Sequence, residues 1–90
     1  MKKSDFRNDI VHKASEFLQS YMKNNRISHL SADECAELLT NNNILSNQIG
    51  PKPGFNFRQM LRDGRDGLID FVDGAYQESP NKKWYIFNKN

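Results

Sequence analysis

Apolar residues near the start of the chain recur at the spacing of an α-helix. Separations of three, four and one residue place them on one stripe of the helix surface. The hydroxyl of Ser4 can accept a hydrogen bond from a free backbone N–H of the first turn, which makes Ser4 the predicted N-cap. The pattern predicts a first helix over about residues 5–24. Its apolar stripe contains Phe6, Ile10, Val11, Ala14, Phe17, Leu18 and Tyr21.

A short link and a second helix follow. The link at residues 27–30 is expected to form an extended segment or a single β-bridge. Ser31 and Glu34 have the spacing of a capping box, in which each side chain accepts a hydrogen bond from the backbone N–H of the other. The second helix ends in the run Thr-Asn-Asn-Asn at 40–43, because asparagine competes with the helical backbone for hydrogen bonds.

A third helix is predicted over about residues 55–66, after a loop at 50–54 that contains two prolines and two glycines. Phe57, Met60 and Leu61 are expected to face inward, and Gly67 is placed to cap the C-terminus.

Beyond Gly67 the pattern changes to short β-branched and aromatic runs at 68–72 and 84–87. These runs predict two strands of a β-hairpin with a long tip. The expected fold is therefore one α+β domain over residues 1–90, with three helices followed by a C-terminal two-stranded hairpin.

This order of elements resembles a winged helix-turn-helix domain over nearly the whole chain. The resemblance depends mainly on residues 55–69, FNFRQMLRDGRDGLI, which look like a recognition helix that runs through a glycine into a first wing strand. The stretch is similar, more loosely, to winged-helix modules attached to some restriction endonucleases. The long Asn-rich connection between the second and third helices departs from the common pattern. The resemblance implies double-stranded DNA binding, with the third helix in the major groove and the wing, about 73–83, on the backbone.

Charge is segregated along the chain, although the net charge is only +2. Residues 29–50 contain three acidic and no basic residues, whereas residues 51–68 contain four basic and two acidic ones. An anion-binding surface is therefore expected within the second of these blocks.

Three arginines of the third helix, Arg58, Arg62 and Arg65, fall within an arc of about 60° and are expected to point outward together. A guanidinium group can donate two hydrogen bonds to a phosphate or to the edge of guanine. Alternatively, the arginines form ion pairs on a solvated face, for example between Arg62 and Asp66. The remaining predicted DNA contacts are Asn56 and Gln59, which could read adenine, and Lys52, Lys82 and Lys83, which are placed for phosphates.

Catalytic and metal-binding chemistry has little support in the sequence. Cys35, His12 and His29 are too few and too scattered for a closed zinc site, and a lone cysteine excludes an internal disulfide. Glu78 lacks the acid-x-Lys pattern of restriction-type nucleases, and no Gly-rich phosphate loop is present. We expect no cofactor, no metal and no enzymatic activity of the chain alone.

The chain has no apolar run of about 18 residues, so no membrane partner is expected and a cytoplasmic location is predicted. Trp84, Tyr85 and Phe87 could stack on bases but are predicted to be core or strand-pairing residues. The alternative to DNA binding is a winged helix that binds a partner protein, or forms a homodimer, through exposed apolar and aromatic surface.

Overall fold

The computed structural model describes Ser4 and residues 6–46, 53–79 and 82–90. Within them the chain forms a small α+β domain of three helices and a three-stranded antiparallel sheet. This confirms the predicted class and corrects the strand count. The elements are α1 (Asn8–Asn25), β1 (His29–Ser31), α2 (Ala32–Asn41), α3 (Phe55–Arg65), β2 (Ala75–Gln77) and β3 (Trp84–Phe87).

The last strand, β3, is the centre of the sheet, and the strand order is β1-β3-β2. His29 lies opposite Phe87, and Tyr76 lies opposite Tyr85. The link at 27–30, expected to form a single bridge at most, therefore contributes to a three-residue strand. It does so because β3 offers a long-range partner that local sequence does not reveal.

The first strand of the predicted hairpin is misplaced: β2 lies at 75–77, whereas 68–72 is a connection without strand structure. The backbone of this connection and of the turn after it finds side-chain partners on α1. The N–H of Asp70 donates to Oδ1 of Asn8 at 2.7 Å, and the N–H of Asp73 donates to Oγ of Ser15 at 3.0 Å. These groups are satisfied without a strand partner, so the apolar pattern serves packing against the core instead.

The N-terminus of α1 also differs from the prediction. The helix begins at Asn8, and its N-cap, Arg7, makes no side-chain capping bond. Ser4 lies further upstream, where its hydroxyl accepts from the N–H of Phe6 at 3.1 Å and donates to Oδ2 of Asp63 at 2.7 Å. The predicted capping hydroxyl thus binds a carboxylate of α3.

Two other predicted helix ends are confirmed. The capping box of α2 is present, with Ser31 and Glu34 bonded reciprocally at 3.1 and 3.2 Å. After α3, Gly67 has φ of +81° and donates to the carbonyl of Gly64, while Leu68 donates to the carbonyl of Asp63. This pair of bonds is a Schellman motif, which ends the helix and turns the chain toward α1.

The hydrophobic core lies between the helices and the inner face of the sheet. Phe57 and Met60 of α3, predicted to face inward, are almost completely buried, as is Cys35 of α2. From β3, alternate residues Trp84 and Ile86 enter the same cluster. The core also contains Val11, Ala14, Leu18, Met22, Leu30, Ala32, Ala36, Leu39, Leu61 and Val72.

We predict that Gly74→Ala destabilises the fold by about 1–3 kcal/mol more than Gly67→Ala. Both glycines have positive φ, so both substitutions add backbone strain. Only at Gly74 would the new Cβ also overlap the carbonyl oxygen of Phe87 and approach Nε2 of Gln19 at 2.8 Å; at Gly67 it meets nothing within 4 Å. Urea denaturation of both variants measures the difference, and equal losses would contradict this packing argument.

Candidate nucleic-acid interface

One side of α3 remains accessible. At about 100° per residue, its exposed and half-buried side chains, with that of the C-cap Asp66, fall within an arc of about 120°, opposite the buried residues. Most of the predicted DNA-contacting residues of the helix therefore share one stripe. The accessible side chains are Phe55, Arg58, Gln59, Arg62, Arg65 and Asp66.

Asn56 does not belong to this stripe. It is only 6% exposed, and its amide donates to the carbonyl of Ser46 at 3.1 Å. This hydrogen bond ties the start of α3 to the backbone at Ser46, and the buried amide is not available to a base edge. A polar asparagine was expected at the surface, but the carbonyl of Ser46, ten positions earlier in the chain, satisfies its amide and so allows its burial. Lys52, predicted to contact phosphate, lies outside the described residues.

Arg58 joins α3 to the start of α2. Its Nη1 donates to Oδ1 of Asp33 at 2.5 Å, and the arginine side chain is 20% exposed, compared with 79% for the aspartate. The Nη2 of Arg58 is buried and has no hydrogen-bond partner among the described residues. A Cβ at Gly54 would lie 2.6 Å from Nη1 of Arg58 and 2.8 Å from Oδ1 of Asp33, so a glycine there leaves room for the pair.

Arg62 and Gln59 form a chain of hydrogen bonds along the helix. Nη2 of Arg62 donates to Oε1 of Gln59 at 2.8 Å, and Nε2 of Gln59 donates to Oδ1 of Asp63 at 2.8 Å. The guanidinium of Arg62 also lies over the ring of Phe55, 5.5 Å from its centroid. Neutral donors from Gln59 and Ser4 satisfy both oxygens of the buried Asp63 carboxylate.

Arg65 connects the end of α3 to the loop before β3. Its Nη1 donates to Oε1 of Gln77 at 3.0 Å, and Nε2 of Gln77 donates to the carbonyl of Lys82 at 2.9 Å. The guanidinium also lies 6.0 Å from the ring centroid of Trp84 and pairs with Asp66. The three arginines are therefore not a free outward stripe, because each has a partner within the fold. The ion pair of Asp66 is with Arg65, its neighbour, and not with Arg62 as the alternative interpretation supposed.

A groove of about 430 Å³ separates the start of α2, the accessible side of α3 and the start of β3. It brings together Arg58, Lys82 and Lys83, three of the predicted site residues, although 24 positions separate the arginine from the nearer lysine. Both lysines are exposed. The lining residues are Ser31, Ala32, Asp33, Arg58, Lys82, Lys83 and Trp84.

Sequence reasoning missed a histidine–carboxylate pair elsewhere on the surface. Nε2 of His12 lies 2.6 Å from Oδ2 of Asp70, and both side chains are more than half exposed. They line a second groove of about 710 Å³ between α1 and the connection that precedes β2. No sequence signal links residues 58 positions apart, and the pair fastens this connection to α1.

Two further features were sought in the described part of the chain: a metal-binding cluster and a membrane-spanning helix. It contains no cluster of three or more His, Cys, Asp or Glu side chains arranged to hold a metal ion. No helix of that part combines the length and apolar character needed to cross a membrane.

Cys35 is a core residue of α2. Burial, and secondarily the charge of Glu34, raises the pKa of its thiol to about 12. The thiolate, which is the nucleophilic form, is therefore suppressed in the folded protein.

We expect Cys35 in the folded protein to resist a thiol reagent at about pH 8 and to react once urea unfolds the chain.

The raised pKa of the Cys35 thiol also makes the stability of the fold depend on pH. The unfolded thiol loses its proton near pH 9.0 and the folded one near 12, so stability falls as pH rises through this interval. Urea midpoints of wild type and Cys35→Ala, compared over that range, isolate this effect. A parallel pH dependence of the two proteins would show that the thiol pKa is not raised by folding.

Comparisons of the chain with protein-family models, with curated proteins and with solved structures gave no match.

Proposed function

We propose that the chain is a double-stranded DNA-binding module of the winged-helix type, with α3 directed at the major groove and the loop before β3 on the backbone. The observation that carries the proposal is the groove in which Arg58, Lys82 and Lys83 converge. Three cations around one groove, opposed by a single carboxylate from Asp33, form a surface suited to phosphate.

The arrangement of elements supports the same proposal. The elements follow one another as helix, strand, helix, helix, strand and strand. This order agrees with the one expected for a winged helix, except that a short strand replaces the expected link between the first two helices. In this proposal the loop between β2 and β3 serves as the wing. The bonds from Arg65 to Gln77 and from Gln77 to the carbonyl of Lys82 connect Lys82, at the end of this loop, to α3.

Within this proposal the contacts divide by chemistry. Lys82, Lys83 and Arg58 neutralise phosphates, which provides affinity and a dependence on salt but no sequence preference. Arg62 and Gln59, on the accessible side of α3, would read base edges. To do so they must give up their mutual hydrogen bond, and Gln59 must also release its bond to the buried Asp63. Both losses reduce the net gain from binding DNA.

Replacing Lys82 and Lys83 together with glutamine is expected to weaken binding to a random-sequence duplex and to reduce the slope of log K against log salt by about 2. The reason is the loss of two phosphate contacts. Fluorescence anisotropy of a labelled duplex at several salt concentrations measures both quantities.

The matched control is Lys13→Gln/Lys23→Gln on α1, which removes the same charge from a different surface. It should leave the slope nearly unchanged. If both double variants reduce the slope equally, binding follows net charge and not this groove. If wild type does not bind duplex even at about 50 mM salt, the proposal is wrong and a partner protein becomes the better candidate.

Asp33→Asn is expected to strengthen duplex binding, whereas the lysine substitutions weaken it. It removes the carboxylate that competes with phosphate for Arg58, so duplex affinity should rise several-fold. Asp9→Asn changes net charge equally, but Asp9 pairs with Arg7 at the start of α1. An equal rise for both variants, measured by the same anisotropy titration, would argue against Arg58 as a phosphate contact.

A further inference from the structure

The outer face of the sheet presents a group of aromatic rings to solvent. Alternation along β3 sends Trp84 into the core and directs Tyr85 and Phe87 outward. On the neighbouring strands, His29 and Tyr76 point to the same side. Trp84, Tyr85 and Phe87, predicted to be core or strand-pairing residues, are therefore divided between two faces. Trp84 is a core residue, and Tyr85 and Phe87 face rings of the neighbouring strands.

These outward rings contact one another and remain accessible. Ring centroids of His29 lie 5.5 Å from Phe87 and 5.8 Å from Tyr85, and Tyr76 lies 5.8 Å from Phe87. Tyr76 is 51% exposed and Phe87 is 42% exposed. Rings exposed side by side in this way offer flat faces on which a planar base can stack.

Basic residues stand at both ends of this aromatic row. Lys83 directly precedes β3, two positions before Tyr85. The ladder continues beyond β3, where the N–H of Asn88 donates to the carbonyl of Ser28 at 2.9 Å, so alternation carries Lys89 to the same face. Within the three strands none of the outward side chains is acidic, and the exposed Glu78 directly follows β2. The surface thus pairs ring faces with flanking positive charge.

The outer face by itself covers much less area than a stable homodimer interface. Three short strands at about 4.8 Å spacing and about 3.3 Å per residue cover roughly 200 Å². A stable interface buries about 800 Å² on each partner. Stacking of individual bases on rings needs no such area.

We propose that this face binds unpaired nucleotides of single-stranded nucleic acid, with bases stacked on Phe87, Tyr76 and Tyr85 and phosphates near the flanking lysines. Aromatic rings between basic side chains are the general means by which proteins hold single strands. A paired duplex keeps its base faces within the stack, so this surface differs in ligand from the groove at Arg58. The two surfaces adjoin at Lys83, which lines the groove and also stands at one end of the aromatic row. Single-strand binding goes beyond duplex binding and does not require it.

The experiment uses fluorescein-labelled oligo-dT and oligo-U of about 12 nucleotides, titrated with wild type and with Tyr76→Thr/Phe87→Thr. Threonine preserves strand propensity while removing the rings. Affinity for either oligonucleotide should fall roughly 5- to 150-fold, the effect of losing one stacked base or more. The DNA and RNA arms distinguish the two sources of unpaired nucleotides, and binding of either supports the proposal.

Phe71→Thr is the matched control, because Phe71 is 43% exposed but lies against Trp84 and Gly64, away from the outer face. It should retain wild-type binding, and circular dichroism should show that all variants remain folded. Phe87→Trp should also bind, with its fluorescence quenched by a stacked base. Duplex affinity should be unaffected by the Tyr76/Phe87 changes, so failure here is distinguishable from failure at the groove.

Three results would overturn the proposal. One is no binding of either oligonucleotide by wild type at about 50 mM salt. Another is equal binding by wild type and the threonine double variant. The third is light scattering that shows a wild-type dimer which the double variant abolishes, because the occupant would then be a second copy.

Discussion

The structure depends on the pairing of β3 with a strand on each side. One flank of β3 receives β1, from the link between the first two helices, and the other receives β2. Alternation along its four residues then divides the molecule: Trp84 and Ile86 complete the core, while Tyr85 and Phe87 form the outer face. The lysines that line the groove directly precede this strand, so its placement positions both candidate surfaces.

Polar side chains on α3 have partners within the fold, and this limits what the helix can offer a ligand. Asp33 holds Arg58, while Gln59 and Arg62 hold each other. Such bonds between accessible groups contribute little to stability, typically under about 1 kcal/mol, and can be exchanged for bonds to phosphate or base. Asp63 is different, because its buried carboxylate depends on neutral donors from Ser4 and Gln59. The accessible side of α3 is therefore adaptable, whereas its flank at Asp63 is structural.

The positions of the helices were predicted well, because helical periodicity and most helix-end signals depend on residues close together in the sequence. The capping box at Ser31 and the glycine after α3 specify helix ends through bonds that span a few residues. Features made by long-range contacts were missed or misplaced. β1 forms only because β3 passes beside it, and 68–72 lacks a strand because Asn8 and Ser15 satisfy the backbone around it.

In the candidate site, too, features set by local sequence were predicted and features set by long-range contacts were not. Helical periodicity correctly placed Arg58, Arg62 and Arg65 on one stripe, but it could not show that Asp33 lies within reach of Arg58. Burial of Asn56 depends on a carbonyl from the preceding segment. Periodicity therefore identifies the face of a helix, whereas the partners of each side chain follow from tertiary structure.

The central position of β3 also constrains the order in which the chain can fold. β1 pairs with residues 85–87 across more than fifty intervening positions, so it has no strand partner until that distant segment arrives. Closing so long a loop costs entropy before any contact compensates for it. A nascent chain that ends before residue 84 contains both edge strands but nothing to join them. Completion of the sheet, and with it both proposed binding surfaces, is thus a late and cooperative event.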